Sequence, residues 1–293
     1  MRKILAIVSV VACLAVIAVA YTSLRNPRNV ARRDKGERPA TTVAESSGDG
    51  ARATGNENRA PVVVELFTSE GCSSCPPADA LLARLDREQP VEGAQVIALA
   101  QHVDYWNNLG WADPYSSHDF SERQDEYAAV FGSVMGVYTP QMIVDGRDEF
   151  PGGNSGKAFD SIAQAAREPK GEVSLARAAN QTDDGDSLRL SVRVERLPKL
   201  TDGDTADVLL AITESNLSSD VARGENAGRK LTHVGVVRTL SKIGYVGAAT
   251  PPFAAEPSVA LDKTWRRENL RAVVFLQEHT SRRVVGAAAI KPF

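Results

Sequence analysis

The chain has 293 residues, of which 43% are hydrophobic, so it is long enough for one large domain or two smaller ones, each with its own core. Its formal net charge at pH 7 is -3. Because there is no basic surplus and no stripe of basic and aromatic residues, the composition argues against a nucleic-acid-binding protein.

The amino terminus has the layout of a secretory signal peptide. Arg2 and Lys3 precede an apolar run over residues 4–20, which ends in the small residues Ala-Val-Ala. This order predicts a signal peptide over residues 1–23 and an extracytoplasmic location, periplasmic or secreted. Because a run of 17 residues is at the short end of what spans a bilayer, an uncleaved membrane anchor through residues 4–20 stays an alternative.

The segment after this run predicts a flexible tether. From Leu24 to Pro61 the chain has no aromatic residue and is rich in Arg, Gly, Ser, Thr, Asn and Glu. Such a segment cannot bury enough apolar surface to offset the conformational entropy lost on folding. We therefore expect residues 24–60 to be disordered, although their arginines oppose translocation under the positive-inside rule.

Two cysteines follow the first predicted strand. The apolar, β-branched run at residues 61–67 predicts a buried strand, and the loop after it holds Cys72 and Cys75. Apolar residues then recur at helical spacing from Ala78 to Leu85, which predicts a helix. The local order is therefore strand, Cys-x-x-Cys loop, helix.

A second apolar run, residues 94–100, predicts a strand parallel to the first because a helix connects the two. Parallel strands end at the same edge of a sheet, so His102, Asp104 and Trp106 should lie near the cysteines. His102 and Asp104 could tune thiols or bind substrate, or simply orient the loop through hydrogen bonds. Trp106 could form a recognition surface or pack in the core.

The remaining elements change character near residue 170. A helix ending near Phe131, a strand opened by Thr139-Pro140 and a helix around residues 159–166 complete an α/β region. Beyond it, apolar and polar residues alternate strictly from Leu188 to Glu195, which indicates a half-buried strand. Similar short runs, separated by turn residues, predict an antiparallel β-sandwich of about seven strands.

The position of Cys72 and Cys75 at a helix start suits thiol-disulfide exchange. Exchange needs an accessible thiolate, a second sulfur within bonding reach and a lowered thiol pKa, which a helix amino terminus provides. Pro76 and Pro77 fit the first helical turn, where backbone N–H groups have no helical partner.

Two alternatives for the cysteines stay open. A structural disulfide is natural in an oxidising compartment, although a bridge across so short a loop restrains little of the unfolded chain. A metal site would need further ligands from His102, Asp104 or His233, none of which stands at a standard spacing, so we assign no metal ligand.

Three stretches, "ELFTSEGCSSCPP", "HVDYWNNLGWADPYSS" and "YTPQMIVDG", together resemble a family of exported thioredoxin-like proteins filed as domain of unknown function 1223. The resemblance is strong over residues 60–170, and "GENAGRKLTHVGVVR" at 224–238 extends it more weakly. It implies a thioredoxin-like fold, with Cys72 as the attacking thiol and Cys75 as the resolving thiol. It also implies that Pro140 lies against the dithiol, where a cis bond is plausible, with Thr139 at the partner-binding surface.

Two further side chains are candidates for this site. Glu65 is an isolated carboxylate in an apolar strand, so burial would raise its pKa and let it move a proton to and from Cys75. The alternative is an ion pair with a lysine or arginine. His233 follows a polar, glycine-punctuated segment and could reach the dithiol, or lie in a long surface loop.

The sequence thus predicts an α/β thioredoxin-like domain at residues 61–170 followed by an antiparallel β-sandwich domain at residues 171–293. The expected function is an extracytoplasmic thiol-disulfide oxidoreductase without a cofactor, whose partners are protein or small-molecule thiols and disulfides. The alternative is a non-catalytic binding module for a peptide or a metal such as copper, in which the cysteines are ligands or a structural disulfide.

Overall fold

The computed structural model describes residues 59–132, 136–179, 186–247 and 252–293. The predicted signal peptide or anchor lies outside the described residues, and so does the predicted tether except for Arg59 and Ala60. Within the described ranges, no helix combines the length and the apolar character that a membrane crossing requires.

The first three elements have the predicted order. β1 (Ala60–Thr68) pairs in parallel with β2 (Ala94–His102), and α1 (Pro76–Glu88) connects them. Thr68 pairs with His102 at the last position of the ladder, so the cysteine loop and the residues after β2 leave the sheet at the same edge. The buried residues of α1 have the spacing of an amphipathic helix and are Ala78, Leu81, Leu82 and Leu85.

A helix and a hairpin follow β2. α2 (His118–Phe131) precedes β3 (Gln141–Val144), which pairs antiparallel with β1 and with β4 (Asp148–Pro151). α3 (Ser155–Ala165) comes next, and the side chain of its N-cap residue, Asn154, accepts a hydrogen bond from a backbone N–H of the first turn.

Side chains of β1 alternate between the two faces of the sheet. Val64 and Leu66 join the core that α1 and α3 cover, whereas Phe67 packs edge-on against Tyr127 of α2. Glu65 stands between Val64 and Leu66 and therefore faces α2 rather than α1.

Within its described residues, the carboxyl-terminal half consists mainly of strands. They are β5 (Glu172–Arg177), β6 (Ser187–Arg196), β7 (Ala206–Glu214), β8 (Leu217–Asp220), β9 (Lys230–His233), β10 (Val236–Val246), β11 (Phe253–Ala255), β12 (Ser258–Ala260), β13 (Leu270–Glu278) and β14 (Val284–Ile290). Short 3-10 helices occur at Asn107–Leu109 and Arg267–Asn269.

One large sheet spans both halves of the chain. Its eight strands have the order β14-β13-β7-β10-β2-β1-β3-β4 and mix parallel with antiparallel pairing. The halves join where Val236 of β10 pairs with Ala100 of β2, whose backbone N–H donates to the carbonyl oxygen of Gly235 at 2.8 Å. β5, β6, β11 and β12 form a smaller sheet, and β8 and β9 form a hairpin.

The predicted fold class is therefore wrong. An α/β thioredoxin-like domain followed by a separate antiparallel β-sandwich was expected, but strands from both sides of residue 170 form a single mixed sheet. The physical reason is that alternating apolar residues identify a strand without identifying its neighbour. A separate first domain would leave the outer edge of β2 unpaired, and β10 occupies that edge instead.

Candidate functional site

Cys72 and Cys75 form a disulfide in the loop between β1 and α1. Both residues are 0% exposed, whereas Ser73 and Ser74 between them are exposed. The backbone N–H of Cys75 donates to the carbonyl oxygen of Cys72 at 3.2 Å and closes the segment as a turn. In this oxidised state, neither cysteine is open to solvent.

The amino terminus of α1 lies directly at the disulfide. Cys75 is the N-cap residue, and Pro76 and Pro77 occupy the first turn, where a missing N–H removes no helical hydrogen bond. The backbone N–H groups of Ala78 and Asp79 donate to the Cys75 carbonyl oxygen at 2.9 and 3.1 Å. The positive end of the helix dipole therefore lies where it would stabilise a thiolate.

His102 belongs to a buried ion pair against this loop. Its Nδ1 lies 2.7 Å from Oδ2 of Asp113. Oδ2 also accepts the backbone N–H of Glu70 at 2.8 Å, and Oδ1 accepts the backbone N–H of Tyr115 at 2.9 Å. Burial alone would lower the pKa of His102, but the carboxylates of Asp113, Asp79 and Glu70 together outweigh burial and raise that pKa. Burial opposes ionisation of Asp113, yet His102 and the N–H donors lower the pKa of its carboxyl.

A second buried pair joins His233 to the same loop. Nε2 of His233 lies 2.9 Å from Oε1 of Glu70, and the indole N–H of Trp111 donates to Oε2 of Glu70 at 2.8 Å. The rings of His102 and His233 lie edge to face, with centroids 4.8 Å apart. The structure thus brings both predicted histidines together beside the loop that holds Cys72.

We expect the His102–Asp113 pair to make stability depend on pH. A histidine with a raised pKa in the folded state contributes stability that is complete below its unfolded pKa of about 6.5. That contribution is lost as the pH rises through the folded pKa, so the advantage of wild type over His102→Gln should shrink. Urea unfolding of both oxidised proteins between about pH 6 and pH 9 measures this difference in the free energy of unfolding. An equal pH dependence in the two proteins would contradict the charged pair.

Asp79 lies one helical turn after Cys75 and was not among the predicted residues. Its Oδ1 accepts a hydrogen bond from the Thr68 hydroxyl at 2.8 Å. Asp79 is half-buried. Desolvation raises the pKa of Asp79, and this effect exceeds the lowering by His233 and His102.

Residues 221–229, which we call the strap, lie over the cysteine loop from the carboxyl-terminal half. Asn226 is buried, and its Nδ2 donates to the carbonyl oxygens of Glu70 and Cys72, each at 2.9 Å. The carboxylate of Glu225 accepts the backbone N–H of the residue after Cys72 at 3.0 Å. The strap therefore holds the backbone of the loop at three points.

Trp106 contacts Thr139, the residue that precedes Pro140. The indole N–H of Trp106 donates to Oγ1 of Thr139 at 2.8 Å, and the Thr139–Pro140 peptide bond is cis. A Cβ atom on Gly71 would lie 3.1 Å from Cβ of Trp106, so the tryptophan lies against the cysteine loop and glycine permits the approach. Substrate binding by these residues stays a prediction.

Two predicted site residues have their contacts elsewhere. Asp104 accepts a hydrogen bond from the Ser121 hydroxyl at 2.6 Å and lies 3.3 Å from Nδ1 of His118, so it connects the loop to α2. Glu65 is buried and pairs with Nε of Arg123 at 2.7 Å. These contacts match the ion pair that the sequence left open for Glu65.

Two polar atoms of the cluster beside the disulfide are buried without a hydrogen-bond partner among the described residues. They are Nε2 of His102 and Oδ1 of Asn226, and such unpaired atoms are uncommon in a packed interior. Across the described ranges, no group of three or more His, Cys, Asp or Glu side chains is arranged to hold a metal ion.

Sequence reasoning missed four members of this cluster, namely Glu70, Asp79, Asp113 and Asn226. A signal existed for Asp79, because a carboxylate in the first turn after a Cys-x-x-Cys pair stands on the helix face of the second cysteine. No local signal existed for Asn226, which lies 154 residues from Cys72 along the chain.

The comparisons with known proteins concern the family and the fold. A family model described as a protein of unknown function, DUF1223, matches residues 63–277. No protein with a curated description matches the chain.

Solved structures give one substantial similarity. The crystal structure of a protein from Agrobacterium tumefaciens has a TM-score of 0.57 and 27% sequence identity, over 79% of this chain and 94% of that chain. A domain of the outer membrane lipoprotein Omp28 from Porphyromonas gingivalis has a TM-score of 0.28 and 12% identity, over 42% of this chain and 88% of that chain. The second similarity supports no conclusion.

Proposed function

The chain belongs to the DUF1223 family of proteins of unknown function, and we propose that it is an extracytoplasmic thiol-disulfide oxidoreductase whose reactive pair is Cys72 and Cys75. The observation that carries this proposal is the position of the disulfide. It closes at the amino terminus of α1, and a cluster of buried ionisable side chains lies against the same loop.

A purely structural bridge explains this arrangement less well. The bridge joins residues only three positions apart, so it removes little entropy from the unfolded chain. Burying charged pairs costs desolvation energy that an apolar core would avoid, and perturbed ionisable groups concentrate at functional sites. A redox role gives both features a use.

The proposed reaction exchanges two electrons between the protein and two thiols. A partner thiolate attacks Sγ of Cys72, the Cys72–Cys75 bond breaks, and Cys75 leaves as a thiolate that takes up a proton. A second partner thiolate then attacks the partner sulfur of the mixed disulfide, and Cys72 leaves. The two partner thiols are oxidised to a disulfide, and the two cysteines are reduced. The reverse sequence oxidises the protein.

An oxidising compartment suits this function. Disulfides form and persist in the periplasm or outside the cell, and the layout of residues 1–23 predicts export or anchoring there. The proposed partners are protein or small-molecule thiols and disulfides, which need no bound cofactor.

Single serine variants test the proposal. Reduced full-length Cys75→Ser should accumulate a mixed disulfide with glutathione when it is mixed with oxidised glutathione, because nothing resolves the adduct on Cys72. Cys72→Ser should form no such adduct at its site cysteine and should lose exchange. Cys13, the third cysteine of the chain, is replaced by serine in every protein so that glutathione cannot add there. Intact mass after rapid acid quench and alkylation measures both, with wild type as the control that cycles to the internal disulfide.

The opposite outcome would assign the bridge to structure. A disulfide that glutathione buffers cannot open in the folded wild type, and that yields only to strong reductant with loss of fold, would contradict the proposal.

A further inference from the structure

Closing the disulfide requires a group that takes the proton of Cys75. The resolving thiol has to become a thiolate before it can attack, and Cys75 is buried, which disfavours the charged form. The sequence suggested Glu65, but that carboxylate faces α2 and is bonded to Arg123. The proton acceptor therefore has to lie on the α1 side of the sheet, where Cys75 is.

Asp79 has the position that this task needs. Its backbone N–H donates to the carbonyl oxygen of Cys75 at 3.1 Å, so the two residues are one turn apart, and positions i and i+4 share a helix face. The Thr68 hydroxyl donates to Oδ1 of Asp79 at 2.8 Å and fixes the carboxyl at the end of β1. Because Asp79 is only partly buried, it can return a proton to solvent.

Ionisable side chains from three neighbouring segments act on Asp79. His102 ends β2, His233 ends β9, Asp113 follows the 3-10 helix, and each acts electrostatically on Asp79. Desolvation raises the pKa of Asp79 above the usual value for aspartate, and this effect exceeds the lowering by the two histidines.

We propose that Asp79 is the acid-base group of Cys75, acting directly or through one water molecule; this inference rests on the proposed redox function. In the mixed disulfide at Cys72, the Asp79 carboxylate takes the proton of the Cys75 thiol. The Cys75 thiolate then attacks Sγ of Cys72, the Cys72–Cys75 bond forms, and the partner sulfur leaves as a thiolate. In the reductive direction, Asp79 returns the proton to Cys75 as it leaves.

The test is the pH dependence of the resolution step. Reduced full-length Asp79→Asn is mixed with oxidised glutathione, and the lifetime of the mixed disulfide is followed by acid quench between about pH 5 and pH 9. Resolution should be slowed about 100-fold near pH 6, the usual size of general base catalysis. In wild type the rate should level off once the pH exceeds the pKa of Asp79, whereas in the variant it should keep rising with pH, because only the thiolate fraction of Cys75 then sets the rate.

Two further variants keep the result interpretable. Glu88→Gln removes an exposed carboxylate from the same helix and should leave resolution unchanged. Asp79→Glu keeps a carboxyl group and should retain the rate plateau even if Asp79→Asn folds poorly.

The outcomes separate this inference from the function on which it rests. Wild-type exchange with an unchanged rate and pH profile in Asp79→Asn would overturn the role of Asp79 alone. Asp79→Glu without the rate plateau would do the same. A wild-type protein that shows no exchange overturns both proposals.

Discussion

Replacing Glu65 with leucine is expected to lower the free energy of unfolding by about 3–5 kcal/mol, the usual cost of removing one partner from a buried ion pair. The Glu65 carboxylate accepts hydrogen bonds from Nε of Arg123 at 2.7 Å and from the hydroxyl of Tyr127. Burial would lower the pKa of Arg123, but the carboxylate outweighs it and raises that pKa. Without Glu65, the guanidinium stays buried and charged without the carboxylate that binds it.

The double variant Glu65→Leu/Arg123→Met is the matched control. Replacing both members of a buried pair by apolar side chains of similar volume is often neutral or stabilising, so part of the lost free energy should return. The rest should stay lost, because the buried amides of Gln101 and Gln277 lose their hydrogen bonds to the pair. Urea unfolding of the oxidised proteins, with the Cys72–Cys75 bridge intact, measures the difference. A double variant as unstable as Glu65→Leu would show that the loss comes from packing rather than from the unpaired charge.

The same proteins decide between two roles for Glu65. If its role is structural, the folded double variant should exchange disulfides with glutathione at the wild-type rate, because the carboxylate lies on the α2 face of β1. A stably folded double variant that no longer resolves its mixed disulfide would restore the proton-transfer role predicted from the sequence and remove it from Asp79.

Features that depend on residues close in sequence were predictable. The apolar run at 61–67 and the helical spacing after Cys75 are patterns within short stretches of sequence, so β1 and α1 lie where expected. The helix that connects β1 with β2 also implies their parallel pairing, which brings His102 to the edge of the sheet beside the cysteine loop. One short-range rule thus located much of the site.

Features that depend on distant pairing were not predictable. β10 joins β2 through a single registered residue pair, Val236 with Ala100, and an alternating pattern does not specify such a partner. A separate β-sandwich was therefore expected, whereas β7, β10, β13 and β14 extend the sheet that contains β1 and β2. The strap is missed for the same reason, since Asn226 binds the Cys72 carbonyl through its amide, and an asparagine among glycines otherwise indicates only a turn.

Asn226→Ala is expected to speed reduction of the Cys72–Cys75 disulfide in the folded protein by roughly 30-fold. Both cysteines are 0% exposed, so a reductant can reach Cys72 only after the loop opens. Opening the strap breaks the two hydrogen bonds from Nδ2 of Asn226, at 2.9 Å each, to the carbonyl oxygens of Glu70 and Cys72. At about 1 kcal/mol per bond and about 1.4 kcal/mol per tenfold change, their loss raises the open fraction by that factor.

Dithiothreitol is a suitable reductant, because Asn226→Ala changes no charge and the attacking thiolate therefore meets the same charges of the strap in both proteins. Ala227→Ser, at an exposed position of the strap, leaves both Asn226 hydrogen bonds in place and should be reduced at the wild-type rate. The urea midpoint of each oxidised protein measures its global stability. If the strap opens locally, the reduction rate of Asn226→Ala should increase by more than its loss of global stability accounts for. If Asn226→Ala is reduced no faster than wild type, the strap does not limit the access of the reductant to Cys72.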